Sequence, residues 1–266
     1  MNVASLFVSH GGPNIVTDPS EAHDYLTTLS SIAGKPEAII VVSAHFETEG
    51  AVVVTDPNPG MIYDFGGFAP ELYQMVYPAP GEPELAMRAA RMLAEAGLQT
   101  RIAPKRGYDH GTWTVLKLAY PEADIPIVQI SIDPTADAQY HYDLGRALAP
   151  LADENVLLVG SGHITHNLRA AFGVMRGGQS PDPEMVRQVG EFTEWFAARF
   201  EEGARDDLLA WREKAPYVQE NHPTDEHLMP LFFAYGAAGE KVRAVRAHDS
   251  RQMGFFAFDS WVFHRA

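Results

Sequence analysis

The chain has 266 residues and a formal net charge of −15, from 20 Lys+Arg against 35 Asp+Glu. That balance argues against a surface built to neutralise nucleic-acid phosphates. The absence of cysteine excludes disulfides, thiolate–metal sites and a cysteine nucleophile. Any metal must be held by His, Asp, Glu or backbone oxygen. No apolar run reaches the roughly 20 residues of a membrane span, and Met1 to Pro13 lack a basic stretch followed by a long apolar one. No signal peptide is therefore expected, and the expected location is cytoplasmic.

In chain order, the apolar run Val3 to Val8 predicts a strand that ends in the turn Ser9-His10-Gly11-Gly12-Pro13. A loosely helical pattern covers 20–33. Ala38 to Val42 is a continuous, largely β-branched run, as in a strand buried on both faces, and leads into Ser43-Ala44-His45. Ala51 to Thr55 predicts another strand, and the Pro/Gly-rich stretch Asp56 to Phe68 a long loop of the kind that often carries function. Glu82 to Ala96 is an amphipathic helix with Pro83 near its start and Gly97 just past its end. Gly107-Tyr108-Asp109-His110-Gly111 precedes a helix from Thr112 to Ala119. A strand Ile127 to Ile132, a helix Tyr140 to Leu151 and a strand Val156 to Val159 follow, the last running into Gly160-Ser161-Gly162-His163-Ile164-Thr165-His166-Asn167. Helices are expected at about 183–202, about 206–213 and Leu228 to Ala237, and a final strand from Met253 to Phe263. This alternation predicts a single α/β domain over residues 1–266, with a central, mostly parallel or mixed sheet flanked by helices. Ligands of such sheets bind outside the carboxyl ends of the strands.

Histidines fall at that edge. A lone histidine is more often a hydrogen-bonded structural residue, but three predicted strands end in Ser9-His10, Ser43-Ala44-His45 and Gly162-His163-Ile164-Thr165-His166. Small residues leave room beside each ring. Neutral imidazole is the usual ligand for Fe, Zn, Ni or Cu where thiolates are absent. A rigid face of three ligands leaves positions open for substrate and for oxygen or water, the mark of a catalytic site.

The strings SHGGP, VVSAHFE, DFGGF, YPAPG, YDHGTW, IPIVQISID, GSGHITHNL and HPTDEHLMPLF, in that order from about residue 5 to residue 235, resemble those of the class III extradiol ring-cleaving dioxygenases. The branch most like this chain is the DOPA 4,5-dioxygenase type, related to the catalytic subunit of protocatechuate 4,5-dioxygenase. The resemblance implies a non-haem, metal-dependent enzyme that opens a catechol-type ring with O₂. Its partners would be a small aromatic diol and O₂. It implies metal ligation by His10, His45 and His227, with His166 as an acid/base group or fourth ligand and His110 as a second acid/base group. Fe(II) is the expected ion, and Zn(II) could fill the same imidazoles in a purified sample.

Glu226 would restore the two-His-one-carboxylate pattern if it replaced His227. The preferred reading makes it a carboxylate in a first helical turn, favoured there by the helix dipole. Glu47 is a weaker carboxylate candidate, and His163 and His222 read as neighbours of the site. Asp64 to Phe68 reads either as an aromatic pocket wall or as an ordinary turn, and Thr112 and Trp113 as pocket wall or helix core. Ser43 and Ser161 lie outside any G-x-S-x-G elbow, and Ser161 reads as a small turn residue. A substrate carboxylate would call on Lys105, Arg106 or Arg169. Two rivals remain at this level: a zinc hydrolase using the same histidines, for which no HExxH helix is present, and a non-catalytic scaffold on the same fold, which would need neither His110 nor His166. Nothing in the sequence marks an oligomeric state.

Overall fold

Runs such as Ile39-Ile40-Val41-Val42 present apolar side chains to both faces of a pleat, so a sheet containing them must be covered twice. The computed structural model, which describes residues 3–177 and 180–265, shows that arrangement. The strands are β1 (Val3–Ser9), β2 (Ala38–Glu47), β3 (Ala51–Val54), β4 (Thr100–Ala103), β5 (Ile127–Ile132), β6 (Val156–Gly162), β7 (Val242–His248), β8 (Arg251–Gln252), β9 (Phe256–Ala257) and β10 (Ser260–Arg265). Among the described residues eight of them form one sheet in the order β4-β3-β5-β2-β6-β1-β10-β7. The central strands β5, β2, β6 and β1 are mutually parallel. Antiparallel pairings of β3 with β5, β10 with β1 and β7 with β10 make the whole sheet mixed.

The helices are α1 (Glu21–Thr27), α2 (Leu29–Ala33), α3 (Pro83–Glu95), α4 (His110–Ala119), α5 (Ala138–Leu148), α6 (Leu168–Gly177), α7 (Pro183–Glu202), α8 (Arg205–Leu209), α9 (Trp211–Lys214), α10 (Val218–Asn221) and α11 (Met229–Ala237). Alternation along the strands sorts the core into two layers. Phe7, Ile40 and Val42 pack with α3, α5, α7 and α11, whereas Leu6, Val8, Ile39 and Val41 pack with α1 and α4. Every residue of α11 is buried, as expected of a helix that is apolar all round. No helix of the described residues is long and apolar enough to cross a membrane.

The predicted α/β architecture holds, with differences in detail. The stretch from Met253 to Phe263 is not one strand: Met253 and Gly254 both have positive φ and close a short hairpin of β8 and β9, and the sheet strand starts only at Ser260. The predicted helix after Tyr140 ends at Leu148, where Pro150 enters a 3₁₀ turn spanning Ala149–Glu154. The pattern at 20–33 resolves into α1 and α2, and that at 206–213 falls on α8 and α9. Strands β4 and β7 and helix α6 were not expected. The two strands lie at or near the sheet edges, half-exposed, where the hydrophobic signal is weak.

A buried histidine in this layer sets a pH dependence. The Nδ1–H of His141 donates to the Asp137 carbonyl at 2.7 Å, and its Nε2 accepts the Asp133 backbone N–H at 3.2 Å. Burial pulls the imidazole down to about 4 from its ordinary 6.5. The unfolded chain therefore takes up this proton first, so the stabilisation is complete above about pH 6.5 and drains away as pH falls toward 4. Between pH 7 and 5 this group should cost about 2 kcal/mol. Urea unfolding of wild type and His141→Gln at both pH values measures it, and an equal acid loss in the two proteins would rule this imidazole out as the source.

Candidate metal centre and its cavity

Because β1, β2 and β6 run parallel, their carboxyl ends meet at one edge. His10 is the first residue past β1, and its N–H donates to the Gly162 carbonyl at 2.9 Å. His45 lies near the end of β2, where pairing with β5 becomes irregular between Val42 and Glu47. His227 arrives from the far end of the chain, in the turn before α11. That turn is tied to the sheet by the His163 N–H, which donates to the His227 carbonyl at 2.8 Å. Two glycines of β6 permit the approach: a Cβ at Gly162 would stand 2.2 Å from the His227 carbonyl oxygen, and one at Gly160 would stand 2.0 Å from that of Pro230.

The three rings converge. His45 Nε2 lies 3.1 Å from His10 Nε2 and 3.3 Å from His227 Nε2. The outer nitrogens decide which protons are present. Ser161 Oγ donates its proton to the Gly111 carbonyl, so it must accept from His10 Nδ1, 3.0 Å away. His227 Nδ1 donates to Glu226 Oε1 at 2.9 Å, and His45 Nδ1 faces Asp64 Oδ2 at 3.4 Å. With each Nδ1 carrying the hydrogen, three Nε2 lone pairs point at one another, an arrangement that is repulsive unless a cation stands between them. For metal–nitrogen bonds of about 2.0–2.1 Å, the two separations correspond to ligand–metal–ligand angles of roughly 95–110°. The donor set therefore fits one divalent ion. A polar partner behind each imidazole is the usual accompaniment of such a site.

The electrostatics agree. Burial first, then the neighbouring imidazoles, pushes His10 well below its ordinary value, and burial lowers His45 to about 4. Burial also lowers His227 against the pull of Glu226. All three are thus neutral donors at pH 7. Burial opposes charge on Asp64 and Glu226, but adjacent imidazoles outweigh it. Asp64 is held at about 2 by His110 and His45, and Glu226 is held far below its usual range by His166 and His227. Two carboxylates stay ionised behind the rings and would offset the charge of a dication held in front of them. Glu226→Gln should therefore keep the fold but weaken metal binding about 10–100-fold, as read by metal-competition titration. Undiminished affinity would remove Glu226 from the site.

His110 stands beside this triad, with ring centroids 4.0 Å from His45 and 5.4 Å from His10. Its Nδ1 lies 3.0 Å from Asp64 Oδ1, which also accepts its backbone N–H. On another side, the His166 ring stacks on His227 at 3.3 Å and 14°, with its Nδ1 3.4 Å from Glu226 Oε1. His166 thus shares a cluster with Glu226 and His227, while the cluster of His10, His45 and His227 leaves it out. Buried His163 packs edge-on against Phe256 and Phe258 and lines, with the triad, the cavity described below. His222 instead sits in the core, with its Nε2–H donating to the Ile164 carbonyl. Glu47 is exposed and joins no ligand cluster.

Several residues play parts the sequence did not reveal. Ser161 lies within β6 and is not a turn residue; it orients His10. Ser43 donates to Asp109, which caps α4 and pairs with Arg106. At Gly111 a Cβ would press to 2.6 Å from Ser43 Oγ and to within 3.2 Å of both the His45 and His10 rings, so only glycine lets the start of α4 stand beside these imidazoles.

The rings open into a cavity of about 280 Å³, walled by Phe65, Phe68, Leu168, Phe172 and Phe256. The Asp64-to-Phe68 segment is thus cavity wall, whereas Thr112 and Trp113 are fully buried inside α4 and do not line it. The α6 wall was legible in retrospect: Asn167 Oδ1 accepts the Ala170 N–H as a cap, and Leu168, Ala171 and Phe172 follow at helical spacing.

Residues 6–260 match the family described as the catalytic LigB subunit of aromatic ring-opening dioxygenase. The chain belongs to that family. Within it, the chain is 40% identical over 265 residues to a 4,5-DOPA dioxygenase extradiol of Beta vulgaris, covering 97% of this chain and 96% of the relative. It is 39% identical over 245 residues to an Escherichia coli K12 protein of the same description, covering 88% and 84%. A crystal structure of an uncharacterized E. coli K12 protein superposes with a TM-score of 0.76 at 32% identity, covering 97% of this chain and 98% of the other. The LigB-family chain is thus an extradiol ring-opening dioxygenase that depends on a metal, which sets aside the hydrolase and scaffold alternatives.

Proposed function

We propose that residues 1–266 act as one catalytic domain that opens the ring of a small catechol with O₂, on an Fe(II) ion held by His10, His45 and His227. The observation that carries the ligand assignment is the convergence of three Nε2 lone pairs at 3.1 and 3.3 Å, each ring anchored from behind. Such an ion would supply charge to hold both catechol oxygens and a path for electrons between ring and O₂. Zn(II) fits the same imidazoles and is the ion a purified sample could carry instead.

The chain's own groups supply the rest. In this reading the substrate ring lies in the cavity lined by Phe65 and Phe256, with its hydroxyls toward the triad. His110 and His166 line the cavity on different sides of the ligands. One imidazole can take the proton a catechol hydroxyl loses, and the other can return a proton to oxygen as the ring opens. Asp64 and Glu226, each shared between a ligand and one of these imidazoles, hold the orientation of both pairs. His166 serves in this scheme as an acid/base group and not as a fourth ligand, since its ring lies flat on His227. The test is anaerobic loading with Fe(II), followed by a catechol and O₂. A yellow product with matching oxygen uptake is expected, and its absence with catechol, protocatechuate, caffeate and DOPA alike would overturn the proposal.

A further inference from the structure

His163 has no part in the scheme above, yet its surroundings suit it to a ligand; the inference drawn from it rests on the ring-opening reading. The residue follows β6, and its backbone N–H is fixed by the His227 carbonyl at 2.8 Å. Its ring lies edge-on against two phenylalanines, 4.7 Å from Phe256 at 78° and 4.8 Å from Phe258 at 68°. Apolar packing therefore holds the imidazole in place.

Only 1% of the residue is exposed, and among the described residues neither Nδ1 nor Nε2 has a hydrogen-bond partner. The Thr165 backbone lies near enough to favour a proton on the ring, without forming a hydrogen bond. Other buried imidazoles of this chain are each served at one nitrogen or more. Ser161 faces His10, Glu226 faces His227, the Ile164 carbonyl takes the His222 proton, and His141 is bonded at both nitrogens. A buried polar ring without a partner carries a cost that phenylalanine or leucine would not carry at the same place.

Nor does His163 join the ion's donors. Its ring centroid is 6.5 Å from that of His10 and 6.4 Å from that of His166, and the groups of convergent donor atoms leave it out. What it shares with the triad is the cavity, which His10, His163, His166 and Phe256 line together. A catechol seated there displaces water from this ring, so the nitrogen facing inward must find its partner on the substrate.

We propose that His163 determines specificity by hydrogen-bonding a polar group that the catechol carries besides its two hydroxyls. The chain then prefers such a catechol to an alkyl catechol of the same size. A neutral imidazole offers one N–H and one lone pair, so a hydroxyl, carbonyl or carboxylate on the substituent finds a match.

The test reads binding, so that turnover does not enter. The Zn(II)-loaded chain is titrated under argon by calorimetry with 4-ethylcatechol and 4-(hydroxymethyl)catechol, which match in size and differ by one hydrogen-bonding oxygen. The hydroxymethyl compound should bind more tightly, although it is the less apolar of the two. In His163→Leu the ratio of the two affinities should move about tenfold toward the ethyl compound. His163→Asn, which keeps a donor and an acceptor, should recover most of that ratio. An unmoved ratio in His163→Leu overturns the proposal and leaves the ring-opening reading standing. A zinc content below that of wild type overturns it as well, since His163 would then support the ion. Nuclear magnetic resonance of wild type carrying isotope-labelled histidine decides the matter if the leucine variant does not fold. A ring nitrogen of His163 should shift with the hydroxymethyl compound and not with the ethyl one, and equal responses to both count against the proposal. If neither catechol binds, the ring-opening reading falls and takes the proposal with it.

Discussion

Replacing His45 with alanine is expected to leave a folded protein that no longer holds a metal ion. His45 Nε2 is the atom shared by both short separations, 3.1 Å to His10 and 3.3 Å to His227, so its loss leaves the remaining pair without the nitrogen that bridges them. Four-ligand protein sites bind zinc with about 10–16 kcal/mol, which sets the scale of one lost ligand at roughly 10²–10³-fold in affinity. The ring contributes little to the core: it is half-buried at the cavity edge, while the neighbours that secure β2, Ala44 and Phe46, are untouched. Metal analysis of the purified variant with a circular dichroism melt separates the two effects. Metal retained at one ion per chain would sink the ligand assignment, and a collapsed melt would shift the test to His10→Ala. His227→Ala should behave as His45→Ala does.

His110→Ala should do the reverse, keeping the ion and losing the reaction. His110 lines the cavity beside His45 and groups with His45 and Asp64, outside the cluster of His10, His45 and His227. A positioned proton-transfer group contributes typically 10²–10⁴-fold, and kcat should fall by that order with metal content unchanged. Asp64→Asn should fall less, since the ring remains while its anchor at 3.0 Å weakens. Oxygen uptake under saturating catechol, with metal analysis on the same sample, provides the reading. Turnover within twofold of wild type in His110→Ala would remove this residue from the proton path and leave His166 as the sole imidazole for it.

Much of this site was open to a reading of residues in order. Continuous β-branched runs announce strands buried on both faces, because nothing else accommodates apolar side chains at every position. Histidines directly after such runs must then stand at the carboxyl edge of a parallel sheet, and His10 and His45 do. Periodicity could not assign His227, which lies 182 residues from His45 and still further from His10, in a turn before an all-apolar helix. Motif order pointed to it, and Gly160 and Gly162 give the physical reason, since they let α11 press its first turn onto β6. Orientation was illegible too. Ser161 read as a small turn residue because its hydroxyl acts on a ring and a carbonyl from other parts of the chain.

What the sequence determined by itself is the set of elements and the chemistry of the donors: a cysteine-free chain, apolar strands, and imidazoles at their ends. These follow from side-chain type and period, which are local properties. Only the tertiary structure decided which imidazoles meet, which proton each carries and what lines the cavity. It grouped His10, His45 and His227, laid His166 flat on His227, and turned Lys105 and Arg106 to carboxylates outside the cavity. Those outcomes depend on distances between groups far apart in the chain, and distance is set by packing.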